Sequence, residues 1–433
     1  MFRADPIADL MSVPNDPSRR GFLVRSAAAC AAWAALPVPL RSVHDARVVG
    51  GSMSPADDYT IDPAVTYLNH GSIGTMPKRV QDALCGYVRA CESNPWLHMW
   101  GGAWDAGRDA ARAELAALLG VVPDDLAITR NTTEGFNVLA RGLPLGKGDE
   151  VLFTSLNHAG ASLCFEHAAE ERGYAVRRVE LPLEEAITAS ADDLVRLHAD
   201  AVGDRTRVVV LPHVDNMVGI RHPVAAIAAA VRARGVRHVF VDCAQTIGML
   251  PVDVAELGVD ACAGSPHKWV QAPKGTGFLW TTPELREVLR PLIVTWGQGR
   301  WAGSARVYED YGTRDLANVL ALGEAAAFQR ERGVEPATAR RAELFAAFRD
   351  AIDDVPDVEW FSPKTFERGA SLFCLRLPRH DAEDVSRRLF EEHGVVTRGF
   401  GIDGGWLRIS PNVELADERI VRFTVALREV MQA

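Results

Sequence analysis

A lysine directly follows a histidine in GSPHKW (264–269), a run that lies between the strand-like runs VDACA and TGFLW. A lysine in such a place costs desolvation energy unless it is exposed, paired or used covalently. Lys268 is also the one lysine between residues 148 and 273. Burial lowers the pKa of an amine and leaves it free to attack an aldehyde. We therefore predict covalent chemistry at Lys268; the alternative is a solvated loop lysine.

Other polar side chains lie at the ends of five strand-like runs. They are Thr132 and Thr133 after LAIT, His158 after EVLFT, Asn216 after RVVVLP, Asp242 and Gln245 at the end of VRHVFVD, and Ser265 and His267 after VDACA. Ligands of parallel sheets bind beyond the carboxyl ends of the strands, and a helix that opens with hydroxyl groups suits a phosphate. Each residue alone could be a helix cap or a core residue. Together they predict one site.

From about residue 59 onward, short apolar runs alternate with helical stretches. The predicted strands are 126–129, 150–154, 207–212, 236–242, 259–263 and 276–280, and the predicted helices are 78–92, 104–119, 134–141, 159–172, 223–234 and 315–331. Such a pattern predicts an α/β fold with a mostly parallel sheet sandwiched by helices. Later strands at 371–378 and 406–410 predict a smaller α+β domain. The predicted division is a leader and linker (1–45), an N-terminal segment (55–75), a large domain (76–305) and a small C-terminal domain (306–433).

One lysine, one acid, a phosphate site and a flat slot meet the needs of pyridoxal phosphate, which forms a Schiff base with a lysine and pairs its ring nitrogen with an acid. The motifs are YLNHGSIGTMP (67–77), RNTTEGFN (130–137), VDCAQ (241–245), SPHKWVQAPKGTGFLW (265–280), YGTRDLANVLALGEAAAF (311–328) and LRIS (407–410). With these motifs the chain resembles the fold-type I pyridoxal-phosphate enzymes of the class V aminotransferase family. Within that family it is most similar to the isopenicillin N epimerase-like branch.

The resemblance implies a role for each matching position. Lys268 carries the Schiff base, Asp242 pairs with the ring nitrogen, and His158 stacks on the ring and relays protons. The remaining positions are the phosphate ligands Thr132, Thr133, Ser265 and His267, the partners of the ring 3′-oxygen Asn216 and Gln245, and the substrate-carboxylate ligands Arg408, Arg398 and Asn69. Thr313 is implied to reach the phosphate from the second subunit of a homodimer.

The same resemblance predicts an enzyme that acts at the α-carbon of an amino acid, free or within a peptide. Epimerisation is the favoured reaction, and transamination or oxidative decarboxylation of a peptide siderophore is the alternative. A non-catalytic protein that only binds the cofactor is a further alternative. Asn157-His158-Ala159-Gly160 departs from the Asp-His-x-Tyr of the epimerase branch, so the substrate pocket is less well defined than the cofactor site. A desulfurase needs a mobile cysteine near Arg408, and residues 392–413 contain none.

The N-terminus has the layout of an export signal. Arg19 and Arg20 stand before Phe22 and Leu23, and the modest apolar segment 27–40 follows. This pattern resembles a twin-arginine signal, whose machinery exports folded proteins with their cofactors in place. We therefore expect a periplasmic enzyme that engages the twin-arginine export machinery. An amphipathic helix with two surface arginines is the alternative.

Composition excludes several classes of partner. The net charge is −10 and no dense Lys/Arg block occurs, which argues against nucleic acid. No apolar run has the length of about 18–20 residues that a membrane span requires. The seven cysteines have neither CxxC pairing nor histidine partners at zinc spacing, so no metal site is expected.

Overall fold

Apolar runs such as RVVVLP form the middle of a seven-stranded sheet in the computed structural model, which describes residues 55–100, 102–295, 298–401 and 405–432. The strands are β1 (Thr66–Tyr67), β2 (Leu126–Thr129), β3 (Glu150–Thr154), β4 (Ala175–Val179), β5 (Thr206–Pro212), β6 (His238–Asp242), β7 (Ala261–Gly264) and β8 (Gly277–Thr281). The sheet order is β2-β8-β7-β6-β5-β3-β4, and only β8 runs antiparallel to its neighbours. The leader with Arg19 and Arg20 lies outside the described residues.

Helices cover both faces of this sheet. The helices are α1 (Lys78–Ser93), α2 (Pro95–Trp100), α3 (Asp105–Leu119), α4 (Thr132–Gly142), α5 (Ala159–Arg172), α6 (Leu183–Ala186), α7 (Ala191–Ala201), α8 (Val224–Ala233), α9 (Pro283–Val288), α10 (Leu316–Arg332), α11 (Val334–Ile352), α12 (Ala382–His393) and α13 (Glu418–Gln432). One core contains side chains from α3, α8 and α10, and a second core contains side chains from α4 and α5. Every residue of β2, β3, β7 and β8 is buried as a result. The expected α/β fold is confirmed.

A smaller antiparallel sheet follows along the chain. Its strands are β9 (Glu359–Trp360), β10 (Phe373–Arg376), β12 (Arg398–Phe400) and β13 (Trp406–Ile409), in the order β12-β13-β10-β9. Apolar residues of α11, α12 and α13 pack against it in a separate core. The short β11 (Val395–Val396) pairs in parallel with β1, so the N-terminal segment is joined to this smaller unit.

Helix α10 follows the predicted domain boundary at 306 in the sequence, but it packs on the large sheet. Val319, Leu322 and Ala325 of this helix belong to the core of the large sheet, where the helix packs against α1 and α3. The first helix to pack in the core of the small sheet is α11, which begins after Gly333. Position in the sequence placed α10 with the small sheet, whereas its apolar face packs with the large one.

The described residues contain neither a membrane-spanning helix nor a cluster of metal-ligating side chains. No helix there is both long and apolar enough to cross a membrane. No group of three or more His, Cys, Asp or Glu side chains in those ranges is arranged to hold a metal ion.

Three buried histidines lie together beside the sheet. The rings of His198 and His222 are 6.0 Å apart, and the backbone N–H of His222 donates to the carbonyl of His213 at 2.8 Å. Burial lowers the pKa of His213 to about 4, lowers that of His198, and holds that of His222 well below its usual range. All three rings are therefore neutral at pH 7.

This cluster predicts that the protein loses stability in mild acid. The unfolded chain binds protons at these histidines near pH 6.5, but the folded chain does not, so the free energy of unfolding falls as the pH drops from 6.5 toward 4. His213 alone contributes a slope of about 1.4 kcal/mol per pH unit in this window. Urea unfolding at pH 7, 6 and 5 measures the slope. The His213→Gln variant is expected to have a shallower slope, and the exposed-site control His167→Gln the wild-type slope. Equal slopes in all three proteins would contradict the assignment.

Candidate active site

The loop that carries Lys268 begins where β7 ends. The backbone N–H of Lys268 donates to the carbonyl of Ser265 at 3.0 Å, and the N–H of Gly74 donates to the carbonyl of His267 at 2.9 Å. A Cβ at Gly74 would lie 1.8 Å from the carbonyl oxygen of Lys268, so only glycine allows this approach. The N-terminal segment therefore rests directly on the lysine loop.

The amine of Lys268 is held ready for nucleophilic attack. Its Nζ makes no hydrogen bond with any residue in the described ranges. Burial lowers the pKa of Lys268 to about 8, while Asp242 acts against that shift and Arg408 adds to it. A large share of neutral amine is therefore present just above neutral pH, as covalent catalysis by lysine requires.

The carboxyl group of Asp242 lies at the end of β6. Its Oδ1 accepts a hydrogen bond from the N–H of Ala244 at 2.8 Å, and no described residue donates to Oδ2. Burial raises the pKa of Asp242, while the Ala244 N–H, Lys268 and His158 oppose that shift. A buried carboxyl group with one free oxygen suits a cationic ring nitrogen.

His158 is the N-cap of α5 and shares the electrostatic field of Asp242 and Lys268. Its Nδ1 accepts from the N–H of Gly160 at 3.0 Å, so the neutral ring carries its proton on Nε2. Desolvation lowers the pKa of His158, Asp242 acts against that shift, and Lys268 and Arg408 add to it. The ring is neutral at pH 7 and has one N–H to donate.

Hydroxyl groups gather at the N-terminus of α4. The Thr132 and Ser265 hydroxyl oxygens lie 2.7 Å apart, and the N–H of Thr132 donates to the Ser265 hydroxyl at 3.1 Å. His267 donates from Nδ1 to the carbonyl of Thr276 at 2.9 Å, so its Nε2 can donate to a phosphate oxygen only when the ring is protonated. Thr133 is exposed next in the chain. This donor set at a helix N-terminus suits a phosphate.

Arg408 is a buried cation on β13. Its Nη1 donates to the carbonyl of Asn216 at 2.8 Å, and its Nη2 donates to the Ser72 hydroxyl at 2.6 Å and the Asn69 amide oxygen at 3.3 Å. Burial lowers its pKa to about 10. No carboxylate in the described part of the chain forms a salt bridge with it. A buried guanidinium of this kind suits a ligand carboxylate.

The remaining predicted residues are either exposed or already bonded to other parts of the described chain. Arg398 pairs with Arg408 across β12 and β13 but is exposed. Asn216 contacts Arg408 through its backbone, and the Gln245 side chain already bonds Trp269 and Gly71. Thr313 is exposed and forms no hydrogen bond with the phosphate residues of its own described chain. The sequence analysis did not predict a role for Ser72. The two glycines that flank it in HGSIG were a sign that the backbone approaches another segment closely there.

Comparison with known proteins identifies the family. The model of the aminotransferase class-V family matches residues 66–409. The chain belongs to the class V aminotransferase family. It is 31% identical over 391 residues to the isopenicillin N epimerase of Streptomyces clavuligerus, covering 85% of this chain and 95% of that protein. It is also 27% identical to a cysteine desulfurase of Haloferax volcanii, covering 81% of this chain and 84% of that protein.

Solved structures show the fold of this class V aminotransferase-family chain. A C-DES mutant with glycine covalently linked to its pyridoxal-phosphate cofactor superposes with a TM-score of 0.77 at 23% identity, over 84% of this chain and 96% of that one. The fold is therefore that of fold-type I pyridoxal-phosphate enzymes, as the sequence indicated.

The site fits pyridoxal phosphate, the cofactor of class V aminotransferases. The free Nζ of Lys268 suits the aldehyde and the unpartnered Oδ2 of Asp242 suits the ring nitrogen. The hydroxyl groups of Thr132 and Ser265 suit the phosphate. Bound there, the cofactor supplies an electron-withdrawing ring that makes a substrate α-proton acidic.

We expect borohydride to fix the cofactor irreversibly to Lys268 in the yellow purified protein. Peptide mapping after reduction should find the label on Lys268 and lose it in Lys268→Ala, which also loses turnover. Lys274→Ala is the matched control, because Lys274 lies in the same motif but donates to the carbonyl of Gly74 at 2.9 Å. Label on Lys274, or normal turnover in Lys268→Ala, would contradict the assignment.

Proposed function

We propose that this protein epimerises the α-carbon of an amino acid, free or within a peptide, with pyridoxal phosphate as cofactor. The observation that carries the proposal is that one cleft contains two proton-handling groups in complementary states. Lys268 is an amine with a pKa of about 8, and His158 is a neutral ring with its proton on Nε2. Epimerisation needs one group to remove a proton and another to return it from the opposite face.

Substrate orientation is assigned to Arg408. The guanidinium is fixed by the carbonyl of Asn216 and the hydroxyl of Ser72, so it presents one geometry to a carboxylate. Because the group is buried, its attraction for a carboxylate is screened less than at the surface. Holding the carboxylate there aims the α-carbon at Lys268, whose charge interacts with that of Arg408.

Proton transfer is assigned to Lys268 and His158. The neutral amine of Lys268 takes the α-proton. His158 takes up a proton from solvent, delivers a proton from Nε2 of the imidazolium to the other face, and returns to the neutral ring with one proton. Asp242 stabilises both groups in their charged forms, because it raises the pKa of each. The same carboxylate therefore supports whichever of the two carries the proton.

A desulfurase reaction is disfavoured by the positions of the cysteines. Cys374 stands opposite Arg408 on β10, but it is buried and burial raises the pKa of its thiol. Cys243 and Cys262 are also buried in the core. A nucleophilic thiolate needs exposure, and all three of these thiols are buried.

The reaction is tested by incubating the holoenzyme with single enantiomers of amino acids and short peptides in D2O. We expect deuterium at the α-carbon together with formation of the opposite enantiomer, measured by chiral chromatography and mass spectrometry. His158→Phe retains an aromatic ring but cannot donate a proton, so it should still exchange the α-proton while inversion falls about 100-fold. His167→Phe, on the exposed face of the same helix, is the control.

Other products identify other reactions. Formation of a keto acid would indicate transamination, and release of carbon dioxide would indicate decarboxylation, including that of a peptide siderophore. Sulfide released from cysteine would indicate a desulfurase. Each of these outcomes, without inversion, would overturn the epimerase proposal.

Export and assembly are part of the proposal. Arg19-Arg20 with the following apolar segment supports twin-arginine export to the periplasm, and the exposed Thr313 in YGTRD supports a homodimer in which this residue reaches the partner's phosphate site. A cleft of about 430 Å³ between Arg130, Thr276 and Tyr311 lies beside that loop. It gives a partner segment a place to enter.

Replacing both Arg19 and Arg20 with lysine should retain the folded, cofactor-loaded enzyme in the cytoplasm. The substitution conserves charge but alters the pair that the export receptor reads. Cell fractionation with an activity assay and immunoblot measures the distribution. Arg3→Lys, which lies outside the pair, is the control. Unchanged periplasmic activity in the double variant would contradict the export proposal.

A further inference from the structure

The side-chain amide of Gln245 is held between two groups of fixed polarity. Its Oε1 accepts from the indole Nε1–H of Trp269 at 2.8 Å, and its Nε2 donates to the carbonyl of Gly71 at 2.9 Å. An indole nitrogen can only donate and a carbonyl can only accept. If the amide were reversed, its NH2 group would face the indole N–H of Trp269 and its oxygen would face the carbonyl oxygen of Gly71. The surrounding chain therefore dictates the orientation of Gln245.

In this orientation Gln245 can still donate one more hydrogen bond. An NH2 group has two donors, and the second N–H of Gln245 has no acceptor among the described residues. The residue follows Asp242 by three positions and is almost fully buried at the same edge of the sheet. A buried donor without a partner is costly, so a ligand at this edge gains by accepting from it.

Trp269 is itself held firmly. Its side chain is fully buried, and its ring lies 6.0 Å from that of His70. His70 is fixed in turn by Glu414, whose Oε1 is 2.6 Å from the histidine Nε2. The backbone after Trp269 passes so close to Gly248 that a Cβ there would lie 2.6 Å from it. The indole N–H therefore has little freedom to follow a movement of Gln245.

We propose that Trp269 is a positioning residue, which fixes the Gln245 amide as a hydrogen-bond donor to the 3′-oxygen of the bound cofactor. The inference rests on the cofactor and on the role that family resemblance gives to Gln245. It does not depend on which reaction the enzyme catalyses. A donor to that anionic oxygen draws charge from it and weakens its hold on the proton of the neighbouring Schiff base. The Schiff base of Lys268 then loses its proton at lower pH.

The test is an absorbance titration of the substrate-free holoenzyme against pH. In Trp269→Phe the amide oxygen loses its fixed donor and only the Gly71 carbonyl still holds the group, so the amide can pivot away from the cofactor. The midpoint for loss of the protonated Schiff-base band should then rise by about one pH unit, as for a lost hydrogen bond to a charged group. Gln245→Leu should give the same rise. Trp280→Phe removes a buried indole from β8, away from Gln245, and should leave the midpoint unchanged.

The double variant Trp269→Phe/Gln245→Leu separates positioning from packing. If Trp269 acts through Gln245, the double variant shifts no further than either single variant. Additive shifts would mean that the indole affects Lys268 directly, and no shift in Trp269→Phe would mean that it has no such role; both results overturn the proposal. Because no substrate is present, the outcome is independent of the epimerisation test.

Discussion

The close contact between Gly74 and the carbonyl of Lys268 is the constraint on which the site depends. It brings the segment 69–75 between the lysine loop and β13, where Asn69 and Ser72 bind Arg408. A side chain at position 74 would push the segment away and separate the Arg408 guanidinium from its two polar partners. The backbone approach therefore holds Asn69 and Ser72, which bind Arg408, against the loop that carries Lys268.

Desolvation is the second determinant: it lowers the pKa of the three basic groups and raises the pKa of Asp242. Burial disfavours charge on Lys268, His158 and Arg408 and also on Asp242, yet the single carboxylate partly restores the charged forms of the first two. Three basic groups and one acid leave the cleft with an excess of potential positive charge. Anionic groups, such as a phosphate and a carboxylate, are the ligands that relieve this excess.

Local patterns predicted much of the fold and the groups at strand ends, because both depend on neighbouring residues. LAIT and EVLFT occupy the strands Leu126–Thr129 and Glu150–Thr154 with the bounds predicted. The strand predicted from 236 begins at His238, since Gly235 with a φ of 93° continues the turn. Local patterns could not predict contacts between residues that are far apart in the sequence, such as the bond between Ser72 and Arg408, which are 336 positions apart.

The position of α10 shows the same limit at the level of domains. Its residues Val319 and Leu322 complete the core of the large sheet, although a single residue separates this helix from α11, which packs with the small sheet. Gly333 separates the two helices with a φ of 85°, a conformation that disfavours other residues. The change of core falls between Ala326 of α10 and Leu344 of α11, and YGTRD, just before α10, belongs to the large unit. Arg314 of that motif donates from Nη1 to the carbonyl of Ile128 on β2 at 2.9 Å, which fastens the loop to the large sheet.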